Sequence, residues 1–386
     1  MSLAHLSQIN VYPVKSVGGI SLSSSWVEFQ GLSFDRRFML ATSDGTMVTA
    51  RKYPQMVQVK ASLLPNGFVF TAEGQRPLKL AYSDFKRQET QATVWKDSFA
   101  AYTTTDRAND WFSEIVGQNV ELLYCGEQSN RVREKVGHNV SFADGYPVLL
   151  ISEASLEELN RRSPEAHSMT QFRTNLVVSG TEPFAEDCWK TIRIGEVVFD
   201  IVKPCERCIL TTVDTTKGAF RASKEPLKTL MTFRADESGG VFFGQNLVAR
   251  NEGVITENDR IEVLEYQEGQ FYAERPRPEL ADSSDSNSAM VKKEGAEKEE
   301  AKSLTLTVNG KSFVGNNRQT LLEQAETAGV IIPNKCRVGM CGACKVSIVA
   351  GKVNHEDVPV LKLAERFDNI AFACSCIPKT NCEVAI

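Results

Sequence analysis

The sequence predicts a mainly β chain with α+β parts, divided into several domains, and three observations lead there. Short strand-like runs dominate the first 268 residues, at 26–29, 37–41, 57–63, 68–71, 175–179, 191–194 and 197–202. Turn formers separate them, as in PNG at 65–67 and SDG at 43–45, a spacing that suits a barrel or sandwich. Before the last domain, helical periodicity appears at 106–115 and again at 152–160, with Ser152 placed as an N-cap. Finally, residues 269–302 are rich in Pro, Ser, Glu and Lys and poor in β-branched residues, so they cannot bury enough apolar surface to order themselves.

That composition predicts a flexible linker, whose ends would lie roughly 30 Å apart if it behaved as a coil. A further boundary is expected near the polar stretch 125–135, giving domains at 1–125, 126–268 and 303–386. The length, 386 residues, accommodates these domains. The net charge of −5 gives no basic footprint for nucleic acid or an anionic membrane. No apolar run approaches the ~20 residues of a membrane span, and the N-terminus lacks the pattern of a signal peptide, so a cytoplasmic chain is expected.

Ten cysteines are too sparse for a disulfide scaffold, but they cluster. In the last domain, a strand pattern at 303–308, a turn at Asn309-Gly310, a second strand and a helix at 320–328 precede CRVGMCGAC. Cys336, Cys341 and Cys344 have C-x4-C-x2-C spacing, and Cys374 follows at a distance. This spacing serves a [2Fe–2S] cluster: one loop wraps it with three thiolates, and a remote segment adds the fourth. Gly339 and Gly342 allow close backbone approach. Zinc is the competing reading, but it favours two short C-x2-C pairs. Cys376 could compete with Cys374 as the fourth ligand, but FACSC at 372–376 resembles the plant-type ferredoxin pattern with its first cysteine, Cys374, in that role. Residues 303–386 resemble a plant-type ferredoxin domain of β-grasp fold, although nine Lys and Arg against seven Asp and Glu depart from the acidic surface of such ferredoxins.

An electron carrier needs a partner centre. The chain has no GxGxxG turn, no Walker motif and four histidines, which disfavours nicotinamide, flavin and haem centres. The remaining candidate is KPCERCILTTVD at 203–214, with Cys205 and Cys208 placed just after a strand. Taken alone, this pair reads equally as half a zinc site, a redox dithiol or soft ligation of another metal.

The segment PCERCILTTVD resembles the signature of the MOSC proteins, the molybdenum-cofactor sulfurase C-terminal-like family. YPVKS at 12–16, GLSFDR at 31–36, MVTAR at 47–51, LISEASL at 150–156, QFRTN at 171–175 and FGQ at 243–245 resemble the subfamily of the mitochondrial amidoxime-reducing component. The ferredoxin tail departs from the mitochondrial form and resembles bacterial members with a fused electron-transfer module.

The resemblance implies an N-terminal MOSC-associated β-barrel domain and a MOSC β-barrel domain that together hold a molybdenum cofactor (molybdopterin). It implies cofactor contacts from Lys15, Arg36, Arg51 and Arg173, with Asn175, Thr211, Thr212 and Gln245 as further hydrogen-bonding candidates. Arginine in particular can grip phosphate through two donors. Cys208 or Cys205 would ligate molybdenum. Asp144, in FADGYP, would stand near the metal and relay protons. The implied activity is reduction of N-hydroxylated compounds such as nucleobases, with electrons from a flavoprotein reductase. The alternative is a non-catalytic carrier of the cofactor, for which an iron–sulfur tail has no evident use.

Overall fold

The structure, a computed structural model, describes residues 3–133, 137–275, 302–335, 337, 339, 341–355 and 369–386. It divides into two compact units. The first comprises Met1–Glu206, Leu210–Pro226 and Phe242–Phe271; the second comprises Arg207–Ile209, Leu227–Val241 and Tyr272–Ile386.

The first unit is built on an eight-stranded sheet. Its order is Ile20–Leu22, His5–Val11, Leu176–Ser179, Val148–Ser152, Phe242–Ala249, Val197–Glu206, Trp189–Ile194 and Ile261–Tyr266. Most neighbours are antiparallel, but Val148–Ser152 and Leu176–Ser179 run parallel. The helix Glu153–Arg162 lies between them in sequence, as a parallel connection requires. Ser152 does cap this helix, its side chain accepting from the Ser155 amide at 3.1 Å. Phe199, Ile192, Leu150 and Ile9 form the core of this sheet.

A five-stranded sheet, ordered Glu89–Val94, Asp97–Thr103, Glu121–Tyr124, Phe38–Ala41 and Met47–Val48, and a three-stranded one, Lys60–Leu64, Gly67–Thr71 and Leu78–Ala81, contribute to a second core. The helix Asp106–Val116 supplies Trp111 and Phe112, which pack with Phe38, Phe68 and Phe70. Thr105 starts this helix and Gly117 stops it at φ 77°.

Strands do not sort by the sequence division at residue 125. His5–Val11 and Ile20–Leu22 join the eight-stranded sheet, and Ser24–Glu28 pairs with Gly253–Thr256. These pairings bring the segment after His5–Val11 beside residues from the middle of the chain.

In the second unit, a five-stranded sheet has the order Lys311–Asn316, Ser303–Val308, Cys382–Ala385, Lys345–Ala350 and Ile370–Phe372. Ser303–Val308 runs parallel to Cys382–Ala385, and the helix Leu321–Thr327 buries Leu321, Leu322 and Ala325 in its core. This is the expected β-grasp arrangement. Its hairpin turns at Asn309 and Gly310, with φ 47° and 80°, the paired positive values of a tight hairpin. The same unit holds the helix Leu227–Phe233, which the sequence reading did not anticipate.

Of the expected linker, 276–301 lies outside the described residues. Its first residues are anchored: Tyr272 is buried, Arg234 stacks 4.3 Å from its ring centroid, and the Arg275 amide donates to the Thr232 carbonyl at 2.6 Å. The aromatic ring gives this stretch burial that its overall composition conceals. No helix among the described residues is long and apolar enough to cross a membrane.

Candidate functional site

Two distant segments form the floor of the site in the first unit. Residues 12–16 follow the strand His5–Val11, and residues 35–38 lead into Phe38–Ala41. They zip together through backbone bonds: the Arg36 amide to the Tyr12 carbonyl at 2.8 Å, Phe38 to Pro13 at 3.0 Å, and Lys15 to Phe38 at 2.8 Å. The motifs YPVKS and GLSFDR therefore become neighbours.

Asp35 and Asn175 hold this floor. The Asp35 carboxylate accepts the Tyr12 amide at 2.8 Å, the Asn175 side-chain amide at 3.0 Å and Arg36 Nη1 at 2.6 Å. The Asn175 side-chain oxygen also accepts Arg36 Nη1 at 3.0 Å and the Leu149 amide at 3.2 Å, while its nitrogen also donates to the Asn10 carbonyl at 3.0 Å. Its side-chain capacity is thus used inside the protein. Asn175, expected to contact the cofactor, also orients Arg36.

Arg36 and Arg173 both adopt left-handed backbone conformations, φ 46° and 55°. Such conformations are costly for residues other than glycine and persist where the surroundings enforce them. Of the two, Arg173 is the one that faces a cavity. It lines a cavity of about 200 Å³ together with Tyr12, Gly18, Gly19, Gln171 and Leu210. Its Nη1 donates to the Val17 carbonyl at 2.7 Å, but its Nη2 is buried with no hydrogen-bond partner. Burial, and then the charge of Arg36, lower its pKa to about 10, so it remains a cation at neutral pH. A buried guanidinium with an unsatisfied donor on a cavity wall calls for an anion. This observation fits the phosphate-bearing cofactor implied by the sequence.

Glycine shapes the same cavity. A Cβ on Gly19 would lie 2.6 Å from the Tyr12 ring, and one on Gly18 would lie 2.5 Å from the Val59 carbonyl oxygen. Tyr12, Gly18 and Gly19 were not among the expected site residues, although they adjoin Lys15 in YPVKSVGG.

Lys15 and Asp144 form a second group. The Lys15 ammonium is buried and donates to Asp144 Oδ1 at 2.6 Å and to the Phe142 carbonyl at 2.9 Å. Lys15, expected to contact the cofactor, is paired with Asp144 within the protein. Burial lowers its pKa, against the opposing pull of Asp144. The Asp144 carboxylate is 58% exposed. Loss of water on its covered side acts to raise its pKa, but Lys15, Arg51 and a 3.1 Å bond from Trp95 Nε1 outweigh this and hold it well below the usual carboxylate range. Asp144 is thus an anion at neutral pH and only a weak base, able to pass a proton on but not to hold one. Arg51 lies 4.2 Å from the Trp95 ring centroid. Trp95 was also missed, because it carries no charge and sits in an otherwise ordinary hairpin.

Thr211 and Thr212 are buried in the short turn Ile209–Thr212, where the Thr211 carbonyl accepts from Gln171 at 3.3 Å. Gln245 donates to Asp187 Oδ1 at 2.6 Å, while its buried side-chain oxygen has no hydrogen-bond partner. Cys205 lies inside the strand Val197–Glu206 and not after it. The strand runs past Pro204 with register shifts against Phe242–Ala249, a bulged extension that the proline masks in sequence. Cys208 lies two residues beyond that strand, and both cysteines are partly exposed.

In the second unit, Cys344 and Cys374 are buried and Cys341 is partly exposed; Cys336 lies outside the described residues. The Gly339 amide donates to Cys374 Sγ at 3.3 Å and the Ala343 amide to Cys341 Sγ at 3.5 Å. Gly339 and Gly342 each have φ 73°. Amides aimed at sulfur stabilise thiolate charge, so this loop suits an iron–sulfur cluster.

Comparison with known proteins finds matches along most of the chain. The chain matches the family described as MOSC N-terminal beta barrel domain over residues 3–119, and the MOSC domain over 137–262. It matches the 2Fe-2S iron-sulfur cluster binding domain over 306–379. Mitochondrial amidoxime-reducing component 1 of Xenopus laevis is 30% identical over 281 residues, covering 66% of this chain and 81% of the relative. Mitochondrial amidoxime reducing component 2 of Rattus norvegicus is 34% identical over 252 residues, or 59% of this chain and 72% of the relative. Molybdenum cofactor sulfurase of Oryza sativa subsp. japonica is 32% identical over 263 residues; the match takes in 62% of this chain but 32% of that protein.

Proposed function

Because the chain belongs to the MOSC family of the mitochondrial amidoxime-reducing components, and carries a 2Fe-2S domain besides, we propose that it is a molybdenum-cofactor-dependent reductase of N-hydroxylated compounds. N-hydroxylated nucleobases are the substrate class, and a flavoprotein reductase is the electron donor. The observation that carries the reading is the buried, unpartnered Nη2 of Arg173 on the wall of the cavity.

Arg173 binds the anionic end of the cofactor, with Arg36 held beside it by Asp35 and Asn175. The thiolate of Cys208 or Cys205 completes the soft ligand set. When bound, the cofactor supplies a two-electron store and a Lewis acid. The reaction consumes two electrons and two protons: the N–O bond breaks, the nitrogen leaves as an amine and the oxygen as water. Asp144, the solvent-facing member of its pair, accepts protons and passes them inward, while Lys15 keeps it anionic between transfers. Cys336, Cys341, Cys344 and Cys374 hold the cluster through which electrons arrive singly, with the Gly339 and Ala343 amides orienting two of the sulfurs. Turnover of this kind would clear mutagenic base analogues.

The test is reduction of a hydroxylaminopurine by the purified full chain with a flavin reductase, alongside Cys205→Ala and Cys208→Ala, with molybdenum assayed in each. Molybdenum-dependent turnover abolished by one substitution alone establishes the reductase and identifies its ligand. Bound molybdenum without turnover on any N-hydroxy compound overturns the reading in favour of a cofactor carrier.

A further inference from the structure

The second unit contains more than the β-grasp domain. It also holds a tight turn at 236–240, which follows the helix Leu227–Phe233 by a few residues. This turn is rigidly built. Asp236 Oδ1 accepts the Ser238 hydroxyl at 2.7 Å and the Gly240 amide at 2.8 Å, and the Gly239 amide donates to the Asp236 carbonyl at 3.1 Å. Arg275 Nη2 donates to the same carbonyl at 2.9 Å.

The cluster loop touches this turn at two points. Lys335, the residue before the first cluster cysteine, donates from Nζ to the Ser238 hydroxyl at 2.5 Å and to its carbonyl at 3.2 Å. Gly239, at φ +79°, packs so closely on Cys341 that a Cβ there would lie 2.4 Å from the cysteine's own Cβ. A glycine is required at this position both by conformation and by contact. On its other side the turn leads to Val241, whose carbonyl accepts the Arg207 amide at 2.7 Å. Arg207 is the residue before Cys208. Two covalent steps and one hydrogen bond thus connect the residue that touches a cluster ligand to the neighbour of a candidate molybdenum thiolate.

We propose that the Ser238–Gly239 turn is the seat on which the cluster loop docks to pass electrons inward, with Lys335 as the positioning residue. The proposal rests on the reductase reading for its direction of electron flow: the cluster, reduced by the flavoprotein, gives up one electron at a time toward the Cys205/Cys208 segment. The contact itself does not depend on that reading. Lys335 supplies the charge that holds the seat, since it faces the anionic Asp236; Gly239 supplies the close approach. Lys335 lies on the cluster loop and is not itself a ligand, so loss of its charge slows transfer without removing either centre.

Two measurements on the cofactor-loaded full chain decide it. A zero-length carbodiimide is expected to join Lys335 to a carboxylate of the 236–238 turn, found by peptide mapping. Recovery of Lys335 unlinked, or linked elsewhere, overturns the docking seat whatever the enzyme's substrate. In the second, dithionite-reduced protein is mixed with an N-hydroxylated purine, and reoxidation of the cluster is followed by its visible absorbance. Lys335→Glu is expected to leave the spectrum and its reduction by dithionite intact and to slow reoxidation about tenfold, with Ser238→Lys in the same chain restoring most of the rate. Reoxidation at the wild-type rate in Lys335→Glu overturns the proposal. A wild-type cluster that never reoxidises, in a chain where the cross-link forms, overturns the reductase reading and upholds the seat.

Discussion

Arg36 and Arg173 share one aromatic ring: their guanidinium carbons lie 4.6 and 4.2 Å from the centroid of Tyr12, and Arg36 Nη2 donates to the Arg173 carbonyl at 3.1 Å. Asp35 answers the charge of Arg36. Arg173 takes from the described protein one backbone acceptor and a π face, and its second terminal nitrogen is left over. With Lys15 paired to Asp144 and Asp35 answering Arg36, the charge of Arg173 is left in surplus at the cavity.

That surplus makes a prediction for Arg173→Met. The substitution keeps apolar bulk against Tyr12 while removing the charge. Bound molybdenum is expected to fall about tenfold or more, the loss of one charge-assisted contact. Cofactor-free wild type is expected to gain thermal stability on addition of inorganic phosphate, and Arg173→Met to gain none. Metal analysis and melting curves with and without phosphate check this. An equal phosphate effect in both proteins would place the anion elsewhere.

The pair of Lys15 and Asp144 sets a pH dependence. The carboxyl of Asp144 titrates below its unfolded value of about 3.9, so its contribution to stability is present above that pH and disappears as pH falls through the folded value. The lowered pKa of Lys15 acts at the alkaline end and is constant in acid, where the ammonium is protonated in both states. Asp144→Asn is therefore expected to cost about 1–2 kcal/mol at pH 7, less than a fully buried pair because the carboxylate is more than half exposed. The gap to wild type should narrow below about pH 4. Denaturant unfolding at pH 7, 5 and 3, read by tryptophan fluorescence, checks the sign. A gap that widens in acid would contradict the pairing.

The parts of this site that were legible in sequence are those encoded in contiguous motifs. YPVKS, GLSFDR and QFRTN each mark a segment that the fold brings to one place, and the cysteine spacing marks the cluster loop directly. What was hidden was the use of each side chain. The charge or polarity of Lys15 and Asn175 is visible in the sequence, but their protein partners, Asp144 and Asp35, lie far along the chain and are not. Local periodicity carries no information about such pairings. It also missed the short helix Leu227–Phe233, which is seven residues long and has little room for a periodic pattern. The passage of His5–Val11 into a sheet with Leu176–Ser179 is a tertiary choice of the same kind.

Gly19 tests whether the cavity is a binding site or a packing defect. Adding one methyl group in Gly19→Ala forces the Tyr12 ring to move, since the new carbon would lie 2.6 Å from it. The ring carries both arginines, so the displacement reaches Arg173. A stability cost of about 1–3 kcal/mol is expected from overpacking, with a fall in bound molybdenum larger than that in Gly74→Ala. Gly74 is a control whose Cβ would meet nothing within 4 Å. Its positive φ of 74° imposes a backbone cost on the control without touching the cavity. Molybdenum content that tracks stability alone in both variants would remove the cavity from cofactor binding.

The fourth cluster ligand separates Cys374 from Cys376. The Gly339 amide points at Cys374 Sγ at 3.3 Å, and the cluster loop folds toward that sulfur. Cys376 begins the strand Cys376–Pro378, pairs with His355 and is completely buried among Leu321, Leu322 and other core residues. Its thiol thus fills a core position, and Cys376→Ala is expected to cost about 1 kcal/mol in packing while the [2Fe–2S] absorbance and its reduction remain. Cys374→Ser and Cys344→Ser should abolish that spectrum. Because the molybdenum-binding groups proposed above belong to other segments of the chain, both serine variants should still retain molybdenum. Visible spectra and metal analysis of the three purified variants distinguish the alternatives. A spectrum lost in Cys376→Ala and kept in Cys374→Ser would exchange the two assignments, and loss of molybdenum together with iron would mean that the cluster domain supports the folding of the remainder of the chain.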